Sequence, residues 1–227
     1  MRAMLGRAGA VLWMACLQFF LMERIVSKGW NVPNIPYSFS RNFVSDLGAK
    51  YCGFHDGLAV CSPLHWWMNA SFVLQGLLIF FGAILVRQVF APSTGCTAGL
   101  NLLKLSGLGL FAVGIAPEDV HAALHVTGAT MHFVCGGAAM IVLGVMSTRG
   151  ERKSWLCGLL SGVTGVAVLA ATVLLGLRAT GVSGSLSWPS GTIERVPAYA
   201  IPLWVVCMGV TILLEDRSGA FGHDADA

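Results

Sequence analysis

Charge is scarce in this sequence. Asp, Glu, Lys and Arg make up 11% of its 227 residues, against about 25% in an ordinary soluble domain. Hydrophobic residues make up 56%, the mean hydropathy is +0.73, and the apolar residues fall in long blocks. These features exclude a disordered chain and a soluble globule. No Lys/Arg-rich run is present, nor any stripe of interleaved aromatic and basic residues. The net charge is only +3. Nucleic acid is therefore excluded as a partner.

Familiar catalytic signatures are missing as well. There is no G-x-S-x-G elbow and no H-E-x-x-H pair. The cysteine spacing matches no zinc finger, and the histidines do not pair across helices as two haems would require. No internal repeat of useful strength appears, which argues against the commonest transporter plans. The sequon Asn69-Ala70-Ser71 lies inside an apolar block and carries no meaning there.

What is present is a set of apolar runs. A membrane-crossing helix needs about 20 mostly apolar residues, and six segments qualify: 8–26, 66–90, 98–116, 122–146, 155–177 and 196–214. The fold class is all-α, an integral membrane bundle of six transmembrane helices with a structured first outer loop. One membrane domain covers 1–214, and 215–227 forms a short cytoplasmic tail. The third span is interrupted by Asn101 and Lys104, and the lysine can snorkel to the interface. Arg2 and Arg7 precede the first run as in a signal peptide. Glu23, Arg24 and Ile25 follow where a cleavage site would stand, so the segment is a retained anchor. Lys and Arg lean toward the side of the N-terminus, chiefly through Arg149, Arg152 and Lys153 in one short loop. By the positive-inside rule both termini are cytoplasmic, in a multi-pass protein of the cell membrane.

The connections are unequal. The outer loop 27–65 is long and rich in Pro, Gly, Ser and Asn. It also carries Trp30, Tyr37, Phe39, Phe43, Tyr51 and Phe54, which let it pack. Cys52 and Cys61 both lie in it. An extracytoplasmic compartment permits a disulfide between them; the alternative is two free thiols. The other five cysteines lie in or beside spans, where a lone Cys is a small core residue.

Ionisable groups at membrane depth are costly and are candidates for function. Here they gather at the outer end. The first loop supplies Asn42, Ser45 and Asp46. The second span opens with His65 and Asn69. Glu118, Asp119, His121 and His125 follow Pro117, and Glu194 and Arg195 open the last span. Asp46 either caps a turn or presents a carboxylate to the bundle, paired with Arg195 or a histidine. Glu194 and Arg195 are adjacent, so they point to different faces and each needs its own partner. Pro197 is expected in the first turn of its helix, where proline is tolerated, and Pro202 deeper, where it kinks the span. On one helix His125 lies about 40° and His132 about 20° from His121. The first two are about 6 Å apart along the axis, but His132 is about 16 Å from His121. The spacing permits half of a zinc site, His125 with His121 or His65. The alternative is a solvated His121 and a hydrogen-bonded His125.

These residues resemble a known family. The stretches Y-S-F-S-R-N-F-V-S-D-L-G-A (37–49), Y-C-G (51–53), V-C-S-P-L-H-W-W-M-N-A-S-F (60–72), G-I-A-P-E-D-V (114–120), L-H-V-T-G-A (124–129) and G-T-I-E-R-V-P-A-Y (191–199) are similar to the bacterial family known as domain of unknown function 998. The resemblance runs from about residue 6 to 214. It departs at Ala116, where a Phe is expected before Pro117. It implies a multi-pass membrane protein and no catalytic assignment. It carries over Asn42, Ser45, Asp46, Cys52, Cys61, His65, Asn69, Asp119, His125, Glu194 and Arg195 as family-like polar positions, and not His121 or His132.

Two functions fit. The first is an enzyme acting on a membrane lipid or isoprenoid, a membrane-embedded hydrolase or another lipid-modifying type. Its catalytic residues would be Asp46, Asp119, His125 and Glu194, with Asn42, Ser45, His65, Asn69 and Arg195 binding substrate. There Asp46 or Asp119 activates water, His125 and His65 bind metal or carry protons, and Arg195 holds an anionic head group. The alternative is non-catalytic: lipid or small-molecule binding, transport, or an assembly partner whose polar groups form a buried structural network.

Overall fold

The computed structural model describes residues 1–55, 57–90, 92–149, 155–181 and 188–217. Arg152, Lys153 and the tail beyond Arg217 lie outside the described residues. Six helices are long and apolar enough to cross a membrane: α1 (Arg2–Lys28), α2 (His65–Val89), α3 (Thr94–Ile115), α4 (Ala122–Thr148), α5 (Trp155–Ala179) and α6 (Ser190–Glu215). The chain is thus a multi-pass helical membrane protein. Helices satisfy most of their own backbone groups, as lipid requires of any spanning segment. Their outer faces carry exposed Val11, Phe81, Val126, Leu160 and Val163, side chains that suit contact with acyl chains.

Consecutive helices pack on one another and α6 returns to α1, so the bundle closes into a ring; α4 also reaches α6 across it. Close approach is set by glycine. A Cβ on Gly107 of α3 would stand 2.6 Å from the carbonyl oxygen of Gly76 on α2. A Cβ on Gly109 would stand 2.6 Å from that of Gly128 on α4. Lipid gives helices no hydrophobic drive to associate, so tight backbone packing and polar contacts must hold them. Polar contacts join the ring at several seams. Gln18 of α1 donates to Gln75 Oε1 (3.1 Å) and to the Ser71 carbonyl (3.2 Å) of α2. Trp204 of α6 donates to Ser161 Oγ of α5 at 2.8 Å.

The last helix begins at Ser190, earlier than hydropathy predicts, because the first loop receives its polar start. The Thr192 N–H donates to the Ser40 carbonyl at 3.0 Å, and a side chain on Gly191 would collide with the Asn42 carbonyl. Pro197 and Pro202 therefore both lie inside the helix, and the expected first-turn position of Pro197 is corrected. Each proline withholds an N–H from the carbonyl four residues earlier, those of Ile193 and Ala198.

The described residues of the first loop form defined elements. Strands β1 (Gly53–His55) and β2 (Leu58–Val60) pair antiparallel, with Gly53 opposite Val60, and Gly57 takes the left-handed turn position at φ 78°. The Cys52–Cys61 disulfide joins the two residues just beyond that pair and closes the hairpin base. Trp30, Tyr37 and Phe39 stack edge to face. Tyr51 and Phe54 do not share in this packing and are exposed.

Gly107→Val should destabilise the protein by about 1–3 kcal/mol, the usual cost of overpacking. Gly162→Val, where nothing lies within 4 Å, should be near neutral. Thermal unfolding of the two variants in the same detergent checks the contrast.

Candidate functional site

The polar end is organised around one short piece of irregular backbone. Ser45–Gly48 forms a single 3-10 turn whose four residues are all buried, so it plugs the ring. Backbone polar groups buried away from water need partners, and helix side chains supply them. Glu194 of α6 accepts from the Val44 N–H through a short hydrogen bond and also faces the Ser45 N–H. Asn69 of α2 donates to the Gly48 carbonyl at 2.8 Å, and Ser62 Oγ to the Leu47 carbonyl at 2.8 Å. Asp46 turns back on its own loop, accepting from Asn42 Nδ2 and the Phe43 N–H, each at 3.0 Å. Asp119, on the turn between α3 and α4, accepts from the Lys50 and Tyr51 N–H groups at 3.0 and 2.7 Å. It clamps the loop just past the plug.

A buried ion pair stands beside the plug. The Arg195 guanidinium has five N–H donors, and each has an acceptor. Nε donates to Tyr199 Oη. Nη1 donates to the Asn42 and Gly191 carbonyls. Nη2 donates to Glu23 at 2.9 Å and, by a short bond, to Tyr37 Oη. Tyr199 in turn donates to the other Glu23 oxygen at 2.6 Å. Arg195 therefore pairs with Glu23 of α1, not with Asp46.

Asp46 instead faces Glu118. Burial and the neighbouring Asp46 charge hold the Glu118 carboxyl well above the ordinary range, against a pull from the Ser45 hydroxyl. Burial raises Asp46 too, partly offset by hydrogen bonds from Asn42 and Phe43. Glu118 Oε1 is sealed from solvent without a hydrogen-bond partner among the described residues. Two carboxyls so placed cannot both ionise cheaply and tend to share a proton.

Beneath the plug lies a narrow cavity of about 40 Å³, room for a few waters. Its polar lining is Ser45, Gln75, His125, His132 and Glu194, set among Phe19, Phe72, Phe133 and aliphatic residues. His125 Nδ1 stands 2.8 Å from the Ala116 carbonyl, and His132 Nδ1 stands 3.1 Å from the Ser106 carbonyl. The Ala116 carbonyl can only accept, so His125 Nδ1 carries the proton. Ser106 Oγ, 2.8 Å from His132 Nδ1, spends its own hydrogen on the His132 carbonyl. His132 Nδ1 therefore donates as well, and each ring keeps Nε2 as its acceptor. Gln75 is 1% exposed, and its Nε2 lacks a partner among the described residues.

The predicted residues therefore separate. Ser45, His125 and Glu194 meet at the cavity. Asp46 sits behind it, and Asn42, Asn69, Asp119 and Arg195 hold the plug. His65 donates from Nδ1 to the Ser62 carbonyl at 3.1 Å and does not line the cavity. His121 is exposed while His125 is buried. Among the described residues no three His, Cys, Asp or Glu side chains group as metal ligands would. Sequence reasoning missed Glu23, Gln75 and the place of His132. A carboxylate in the last turns of a span and an amide in mid-span were signals available for the first two.

Six spanning helices closed in a ring around a small, largely apolar cavity with a few polar groups in its wall, one end stoppered by a disulfide-bearing loop, define the class: a multi-pass helical membrane protein. The family described as "Protein of unknown function (DUF998)" matches residues 7–211, and the chain belongs to it. No curated protein and no solved structure matches the chain.

Glu23→Gln or Arg195→Met should each cost about 3–5 kcal/mol, because each strands a buried charge. The double variant should cost less than the sum of the two, as unfolding in a double-mutant cycle will read. The carboxyl pair sets a pH dependence. A carboxyl raised in the folded state binds its proton more tightly there than in the unfolded chain. Stability then falls as pH climbs from the ordinary carboxylate range, about 4, through the raised values. Glu118→Gln should flatten that fall and leave the protein more stable than wild type at alkaline pH, as melting temperature against pH will show.

Proposed function

We propose that this protein binds the polar head of a membrane-dissolved amphiphile, a lipid or isoprenoid, in the cavity beneath the plug and performs acid–base chemistry on it. The observation that carries this reading is the lining. Two imidazoles with Nδ1 committed, a carboxylate and an unpartnered amide face one small, largely apolar space. His125 is the general base, its Nε2 turned to the cavity while the Ala116 carbonyl fixes the ring. Glu194 steadies the proton that His125 takes up, and Asp46 with Glu118 forms a proton store behind Ser45. Arg195 contributes by holding the plug rather than an anionic head group, since all its donors are spent. The hairpin end faces the extracytoplasmic side of the cell membrane, with both termini in the cytoplasm. The disulfide supports this orientation, because such bonds persist in oxidising compartments.

The second reading is non-catalytic binding. It is favoured by Ser45, whose hydroxyl lies against Glu118 rather than a histidine, so no activated nucleophile stands ready.

Lipid profiling of cells producing wild type, His125→Ala and Glu194→Gln separates the two. A lipid whose turnover drops by about 10²-fold or more in His125→Ala, as loss of a general base does, supports the enzyme. Unchanged profiles with a stoichiometric amphiphile bound to the purified protein support binding alone. Unchanged profiles and no bound amphiphile reject both.

A further inference from the structure

The cavity's hydrogen-bonding pattern also narrows the head group it accepts; this step rests on reading the cavity as an amphiphile site. Apart from Ser45, whose hydroxyl is engaged by Glu118, its groups divide into acceptors and a donor. His125, with its Nδ1 proton committed to the Ala116 carbonyl, and His132, with its Nδ1 proton committed to the Ser106 hydroxyl and carbonyl, offer only Nε2 acceptors in their neutral forms. Glu194 adds carboxylate oxygens. The Ala198 carbonyl adds another acceptor to the wall, because Pro202 has no N–H to give it, and both residues line the cavity. Against these stands Gln75 Nε2, a donor sealed at the wall with no partner among the described residues. The orientation of that amide is fixed by its neighbour. Gln18 Nε2 must face the Ser71 carbonyl, which only accepts, and the same nitrogen donates to Gln75 Oε1. Gln75 is thereby left with its N–H₂ for the cavity.

No lysine or arginine lines the space among the described residues, and the nearby Arg195 has no donor to spare. A phosphate would bring acceptors and negative charge to a wall of acceptors. An ammonium would satisfy the acceptors but leave the Gln75 donor unmet. A hydroxyl both donates and accepts, so it answers both halves of the lining.

We infer that the cavity takes an uncharged hydroxyl head, that of a long-chain or isoprenoid alcohol, and discriminates against the phosphate and the amine of the same chain. The hydroxyl donates to an imidazole Nε2 and accepts from Gln75, while the small volume admits only the head and its first carbons.

The test measures binding of farnesol, farnesyl phosphate and farnesylamine to the purified full-length protein in lipid nanodiscs. Farnesol should bind at least about tenfold more tightly than either of the others, and Gln75→Leu should weaken it by about tenfold. The comparison of the three probes on the unaltered protein needs no variant, so it stands even if Gln75→Leu does not fold. Phosphate or amine binding as tightly as the alcohol overturns the inference and leaves the amphiphile site in place. Failure of all three to bind, or farnesol binding indifferent to both Gln75→Leu and Glu194→Gln, overturns the site as well.

Discussion

One constraint governs the polar end of this protein: irregular backbone packed inside a membrane bundle must find partners for every N–H and C=O. The turn Ser45–Gly48 is such a segment, buried at all four residues. Its partners come from three separate places, the loop itself, α2 and α6, and the turn between α3 and α4 fastens Lys50 and Tyr51 just past it. Low dielectric makes each of these bonds strong when made and costly when missing. The density of acids and amides at this end follows from that arithmetic before any question of chemistry arises. Arg195 illustrates it best. Its guanidinium is wholly occupied by a carboxylate, two tyrosine hydroxyls and two carbonyls, and so fastens the loop to the first and last helices.

The fold was legible because lipid demands long apolar runs, and such runs are hard to hide. Even the weakest span, with Asn101 and Lys104 in it, is a helix in the structure. The start of α6 was less visible. Its first residues are polar, and their helical state depends on carbonyls of the first loop, a contact across the whole chain. The disulfide could be anticipated from two cysteines sharing one loop, but the hairpin that brings them opposite could not.

The polar cluster was legible as a place and much less so as a set of roles. Hydropathy and spacing bring Asp46, Asp119, His125, Glu194 and Arg195 to one end. They cannot say which face each presents, and this decides whether a group touches the cavity or the plug. His132 shows the opposite failure: its helical phase matched that of His125, and its depth counted against a shared metal ion. Depth is what lets it line the lower part of a cavity whose upper part His125 and Ser45 line. Gln75 and Glu23, lone polar residues in apolar company, carried a signal that needed a partner to interpret.

The Glu23–Arg195 pair joins residues 172 positions apart in sequence, on the first and last helices. During synthesis the carboxylate of α1 is therefore made long before its cation exists. The plug likewise waits for Glu194 before its leading N–H groups are answered. The ring can close only when the final helix has been delivered to the bilayer. A chain cut short before α6 would leave Glu23 without its cation and the plug without Glu194. The bond that fastens the mature bundle can therefore form only when its first and last helices are both in place.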